Sequence, residues 1–220
     1  MTISVALDKM LFVELVILLP LLIFSVIFHE VSHGIVAHRF GDDTAYLSGR
    51  ITLNPVPHLD PVGSVIFPAI CVLMHLPVFG WARPVPVNPT LFTNYRSGVI
   101  SVSMAGPLAN FLIAIVSAVV LYFSVSQPFI ARSVPSLPGF LSQAILLNLV
   151  LFVFNLIPIP PLDGSKVLSV LLPVEVAAKY DSLEPYGFFI VMGLIAFGIL
   201  GKILYPVVAL IYGFLTAPVG

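Results

Sequence analysis

An apolar run from Leu11 to Phe28, interrupted only by Glu14, Pro20 and Ser25, passes without a gap into His29-Glu30-Val31-Ser32-His33. A bilayer core takes about 20 helical residues to cross, so the run reads as a membrane span with the motif in its continuation. Lipid offers the backbone no hydrogen bonds, which leaves helix as the form available to such a segment. In a helix His29 and His33 stand one turn apart on one face, and their imidazoles can grip a single metal ion. Glu30 sits beside them, where a carboxylate can take a proton from water at the metal. A chance HExxH arises on the order of twice in a thousand chains like this one. The plainer reading is two buried histidines hydrogen-bonded to neighbouring helices. Ionisable groups at membrane depth are costly and mark functional sites, which favours the metal. His38 lies about 140° round the helix from His33 and is not expected to be a ligand. Arg39 occupies the position where a metzincin carries its third histidine.

The rest of the chain supports a membrane setting. Hydrophobic residues make up 59% and charged residues 9%, against about 25% charged in globular domains. The expected fold is an all-α polytopic membrane protein of about five to six transmembrane helices, forming a single domain over residues 1–220. A net charge of −1 leaves no nucleic-acid footprint. Cys71 is the single cysteine, which excludes an intramolecular disulfide. The N-terminus lacks a basic region ahead of its apolar run, so a retained span is expected in place of a cleaved signal peptide.

The first helix is expected to run to about Phe40 and stop at Gly41, with Asp42-Asp43 in the following turn. Residues 44–63 read as a short β-hairpin (Ala45–Leu47 and Arg50–Leu53 around Ser48-Gly49), then a loop stiffened by Pro55, Pro57 and Pro61. His58 and Asp60 either form a second metal site or bond the loop backbone, the commoner use of such residues. A second span covers Val62–Gly80, with His75 inside it and Trp81 at its boundary. Arg83–Pro89 is an extended, polyproline-like connection, serving as a rigid linker or as a holder of extended peptide. The third span, Val99–Ser126, places Gly106 and Asn110 on one face. Asn110 there either satisfies a packing seam or faces a catalytic cavity. Pro185–Leu215 is one long or two short apolar segments.

Asn155-Leu-Ile-Pro158-Ile-Pro160-Pro161-Leu-Asp163-Gly164 must interrupt a helix. Broken helices at membrane depth survive where protein or a wet cavity satisfies the freed backbone groups. An HExxH zinc site needs one more protein ligand and an open position. Glu175, Asp181 and Glu184 flank a polar loop, whereas Asp163 sits beside the break and is taken as the third ligand; its plainer role is a helix N-cap. Asn155 either donates to a developing oxyanion or bonds the broken helix.

With HEVSH at 29–33 and NLIPIPPLDG at 155–164, the chain resembles the site-2 proteases, the intramembrane zinc metalloprotease family. TAYLSGRITLNPVPHLDPVG at 44–63, GWARPVPVNP at 80–89 and AGPLAN at 105–110 extend the resemblance over nearly the whole length, to the short branch without a PDZ or CBS domain. The resemblance implies one Zn2+ held by His29, His33 and Asp163, with Glu30 as general base and Asn155 at the active site. It implies that Gly106 and Asn110 line the core, and that a membrane-re-entrant hairpin follows the first helix. Its edge, with Leu47, Arg50, Leu53 and Asn54, would pair with an extended substrate. The implied substrate is a single-span membrane protein met in the lipid bilayer, in the plasma membrane of a prokaryote, with the metal nearer the cytosolic face. With five spans, Lys9, Arg83, Arg96 and Lys179 fall on one side and Arg39, Arg50 and Arg132 on the other, too even a division to fix orientation. Gating would fall to membrane helices, an oligomer, a regulatory membrane partner or prior trimming of the substrate. The competing class is a membrane metal-binding or transport protein using the same His/His/Asp site, since transporters also break helices at their sites.

Overall fold

The structure, a computed structural model, describes residues 2–67, 70, 73–74 and 82–219; the side chains of 2–17, 65, 128, 131 and 219 are not considered. Among the described residues every regular element is helical. Helix α1 is Thr2–Arg39 and α2 is Thr44–Leu47. After the segment that includes the expected second span come α3 (Tyr95–Ser126), α4 (Pro128–Ser133) and α5 (Leu137–Asn155). Helices α6 (Asp163–Leu171), α7 (Val174–Asp181), α8 (Gly187–Ala196) and α9 (Ile199–Thr216) complete the chain.

Four stretches among the described residues are long and apolar enough to cross a membrane: Leu18–Arg39 in α1, then α3, α5 and α9. The expected five to six spans are thus not all found. Most of the second, Val62–Gly80, lies outside the described residues, as do Cys71, His75 and Trp81. The apolar 185–215 region divides at Gly198, whose φ of +66° breaks the helix after the ten-residue α8.

Helix α3 is the hub, packing on α1, α5 and α6. Ala114, Ala118 and Leu121 of α3 meet Leu141, Ile145, Leu149 and Val153 of α5 and Val208 of α9 in the main apolar core. Phe24, Phe28 and Ile35 of α1 stay exposed, while Ser25, His29, His33 and Ala37 are buried. In lipid this inverts the soluble pattern: apolar side chains face outward and polar ones are sequestered where partners await them.

The expected β-hairpin is not there. Thr44–Leu47 is a helical turn, Arg50 N–H bonds back to Ala45 O, and Val56–His58 is a short 3₁₀ turn. The cause is local competition. Asp42 Oδ1 takes the Thr44 N–H, Thr52 Oγ1 takes Asn54 N–H and Asn54 Oδ1 takes Val56 N–H. Short polar side chains that bond nearby backbone divert it from a ladder, and prolines 55 and 57 remove donors. Leu47, Leu53 and Asn54 are exposed on turns and Arg50 is turned inward, so no strand edge exists in this stretch.

Candidate metal centre

The break in the chain after α5 is built to hold Asp163. Leu156–Leu162 turns sharply, and its freed carbonyls find partners: Tyr180 Oη donates to Pro158 O at 2.9 Å and Ser165 Oγ to Leu162 O at 2.6 Å. Gly164 allows the turn to fold onto the end of α5, because a Cβ there would stand 2.9 Å from Ile157 O and closer still to Leu156 O. Asp163 makes no side-chain cap for α6. Its carboxylate points instead at α1, with Oδ2 3.1 Å from His29 Nε2 and 3.3 Å from His33 Nε2.

Behind the imidazoles, α3 fixes which nitrogen faces inward. His33 Nδ1 lies 2.6 Å from Val102 O, which can only accept, so that nitrogen carries the proton. His29 Nδ1 lies 2.7 Å from Asn110 Oδ1. The amide orientation of Asn110 follows from its other end, where Nδ2 donates to Ser25 O at 3.1 Å and to Asn148 Oδ1 at 3.0 Å. Asn148 in turn donates through Nδ2 to Ala144 O at 2.9 Å, which leaves its own oxygen as the acceptor. Both Nδ1 protons are therefore spent on acceptors, and both Nε2 atoms present lone pairs.

Those lone pairs face each other 3.0 Å apart, with Asp163 Oδ2 beside them, buried and without a hydrogen-bond partner. Three acceptors crowded together need a cation. Zinc ligands at about 2.0–2.1 Å in a tetrahedron stand about 3.3 Å from one another, close to the spacings here. The donor set of two imidazoles and a carboxylate suits zinc, and the three residues fit one ion. Gly106 of α3 passes so near that an added Cβ would come within 2.5 Å of His29 Nε2, nearer still to His33 Nε2. No larger residue there leaves the imidazoles where they are.

The remaining sequence-derived residues fall as follows. Glu30 is half-buried, and its Oε2 accepts the Val85 N–H at 2.7 Å. Asn155 is half-buried and donates through Nδ2 to Leu151 O at 2.9 Å, which bonds it to its own helix. His38 pairs with Asp43 at 2.6 Å on the exposed side of α1. His58 Nε2 bonds Thr52 O and Asp60 Oδ1 accepts Gly63 N–H, so both serve the loop backbone. Among the described residues His29, His33 and Asp163 are the group able to hold a metal. Asn148 was missed by the motif reading. Its signal was present nonetheless: a lone amide within the apolar run Ala144–Phe154 of a membrane-length helix, which the structure buries fully. The carbonyls of Val102 and Ser25 carry no sequence signal, since every residue type offers one, and any residue but proline offers the N–H that Val85 supplies.

A metal-fitting triad closed by a broken helix, within a set of membrane-length helices, defines a class: multi-pass membrane zinc enzymes. Comparison with known proteins narrows it. The family model described as Peptidase family M50 matches residues 130–198. The chain is 42% identical over 187 residues to "Putative zinc metalloprotease YwhC" of Bacillus subtilis, covering 84% of this chain and 82% of that one. It is 31% identical over 177 residues to "Putative zinc metalloprotease Rip2" of Mycolicibacterium smegmatis (78% and 63%). It is also 28% identical over 168 residues to "Zinc metalloprotease MJ0392" of Methanocaldococcus jannaschii (76% and 37%). No solved structure matches it. The chain belongs to peptidase family M50, and it is a zinc metalloprotease integral to a membrane.

Proposed function

We propose that the protein hydrolyses peptide bonds of membrane-spanning substrates within or near the bilayer. The observation that carries this reading is the meeting of Asp163, from α6, with His29 and His33 of α1, a helix apolar enough to span a membrane. Zinc, when bound, polarises the scissile carbonyl and acidifies a water molecule. His29, His33 and Asp163 would hold the ion. Glu30 takes the proton from the attacking water and delivers it to the leaving amine nitrogen. Asn155, at the mouth of the broken helix, donates to the developing oxyanion once its bond to Leu151 O is exchanged. His33 is six residues from the end of α1, roughly 10 Å along its axis, so water enters from the nearer face. That face is the cytosolic one of a prokaryotic plasma membrane, with single-span proteins as substrates. The substrate must be extended at the cut, because a helix hides its carbonyls in hydrogen bonds.

The test is co-expression with a panel of single-span substrates, comparing wild type with Glu30→Gln. Cleavage by the wild type and none by the variant is the expected result. Cleavage that persists in Glu30→Gln removes the assignment; zinc bound by both with cleavage by neither returns the metal-binding or transport reading.

A further inference from the structure

The segment 82–88 runs extended over the part of α1 that carries Glu30, and the fold grips it at four places. Arg83 N–H donates to His58 O at 2.9 Å. Val85 N–H donates to Glu30 Oε2 at 2.7 Å, and Asn88 N–H to Asp42 Oδ2 at 2.6 Å. The fourth grip is a charged one: Arg50 Nη2 donates to Arg83 O at 2.7 Å and to Pro84 O at 3.2 Å. Pro84 and Pro86 have no N–H, so within 84–86 only Val85 can donate to the carboxylate. The Val85 side chain is buried, and its Cγ1 would lie 3.2 Å from a Cβ at Gly34, one turn beyond Glu30.

Arg50 is only 7% exposed, and its Nε has no hydrogen-bond partner. A guanidinium withdrawn from water this far is expensive unless its bonds serve something. What it bonds is the main chain immediately before the Val85 donor.

We propose that Arg50 is a positioning residue for peptide hydrolysis. By holding the Arg83 and Pro84 carbonyls it fixes the Val85 N–H on one oxygen of Glu30, leaving the other oxygen to meet the attacking water. This rests on Glu30 being the general base. A base freed from that bond spends much of its time out of reach of the water, and misplacements of about 1 Å cost up to roughly a hundredfold in rate.

The experiment measures kcat, KM and zinc content of purified full-length variants with a single-span substrate that the wild type cleaves. Arg50→Met keeps the apolar stem and removes every donor; Val85→Pro removes the N–H, and Val85→Ala, which trims the buried side chain but keeps the N–H, is its control. Arg50→Met and Val85→Pro are each expected to lower kcat by about tenfold or more, with KM within about twofold and zinc still bound. Arg50→Lys, which restores one donor, recovers part of the loss. The double variant Arg50→Met/Val85→Pro is expected to be no slower than the slower single one, because both act through the same hydrogen bond. Multiplying losses, zinc released by Arg50→Met, or a Val85→Pro enzyme as fast as wild type each overturn the proposal. If Arg50→Met does not fold, Arg50→Lys with and without Val85→Pro gives the same cycle. Those failures, in an enzyme that Glu30→Gln inactivates, sink the role of Arg50 alone. Activity surviving in Glu30→Gln itself sinks the base assignment, and this inference with it.

Discussion

His29 and His33 are braced from behind by α3 and α5, through Val102 O, Asn110 and Asn148, all within a buried helical interior. Glu30, one residue from His29, is held instead by the main chain of a proline-rich segment at the rim. The first arrangement determines tautomer and direction through a main-chain carbonyl on His33 and a chain of two amides on His29. The second depends on an extended stretch kept in place by Arg50, His58 and Asp42. On the proposed mechanism, metal binding and proton transfer rest on separate supports, and each should be open to damage with the other intact.

The largest effects test that separation directly. Asp163→Ala removes the carboxylate that completes the triad, and both zinc and protease activity should fall to background, read by metal analysis of the purified protein. Glu30→Gln should keep its zinc while losing about a hundred- to ten-thousand-fold in kcat, the range expected for a removed acid–base group. If the Glu30→Gln protein also came away without metal, the two supports would be one.

Next in size is the brace behind His29. Asn110→Leu leaves the Nδ1–H without an acceptor and allows the other tautomer, so zinc affinity should drop by about 10–100-fold. Asn148→Leu should do less, because Ser25 O still holds the Asn110 amide the right way round. Competitive chelator titrations rank the two. Equal losses would mean that Asn148 supports helix packing and has no part in setting the proton.

How much of this was legible beforehand depends on how far each feature is local. HExxH predicts its own geometry, because one helical turn separates its ends. The break at 158–161 is likewise announced by three prolines, and Asp163 by being the acid beside it. The 44–54 stretch was misread for a physical reason. Its Tyr46, Leu47, Ile51 and Leu53 are compatible with a strand, but Asp42, Thr52 and Asn54 offer the backbone closer partners, and side-chain competition of that kind outweighs weak β-propensity. Asn148 was passed over because a lone buried amide has no motif around it. The hold on Glu30 had no visible signal, since Val85 contributes only a main-chain N–H that any residue but proline would supply.

The smallest expected effect sharpens the comparison from the rim. Asp42 is fully buried where α1 ends, and its carboxylate receives Thr44 N–H and Thr44 Oγ1 on one oxygen and Asn88 N–H on the other. Burial pushes its carboxyl pKa up, but those hydrogen bonds outweigh burial and hold it below the ordinary carboxylate value. A group whose pKa is depressed on folding stabilises the fold above its unfolded value, about 3.9, and loses that contribution as pH falls through the folded value. Asp42→Asn should therefore cost about 1–3 kcal/mol at neutral pH. The gap to wild type should close as the pH is lowered below about 4. Melting temperatures of both proteins in detergent across that window measure it. Because Asp42 anchors the same segment that reaches Glu30, the variant should lose some kcat while zinc content stays constant. A loss of zinc in Asp42→Asn, with kcat per bound zinc unchanged, would show that the rim supports the metal after all.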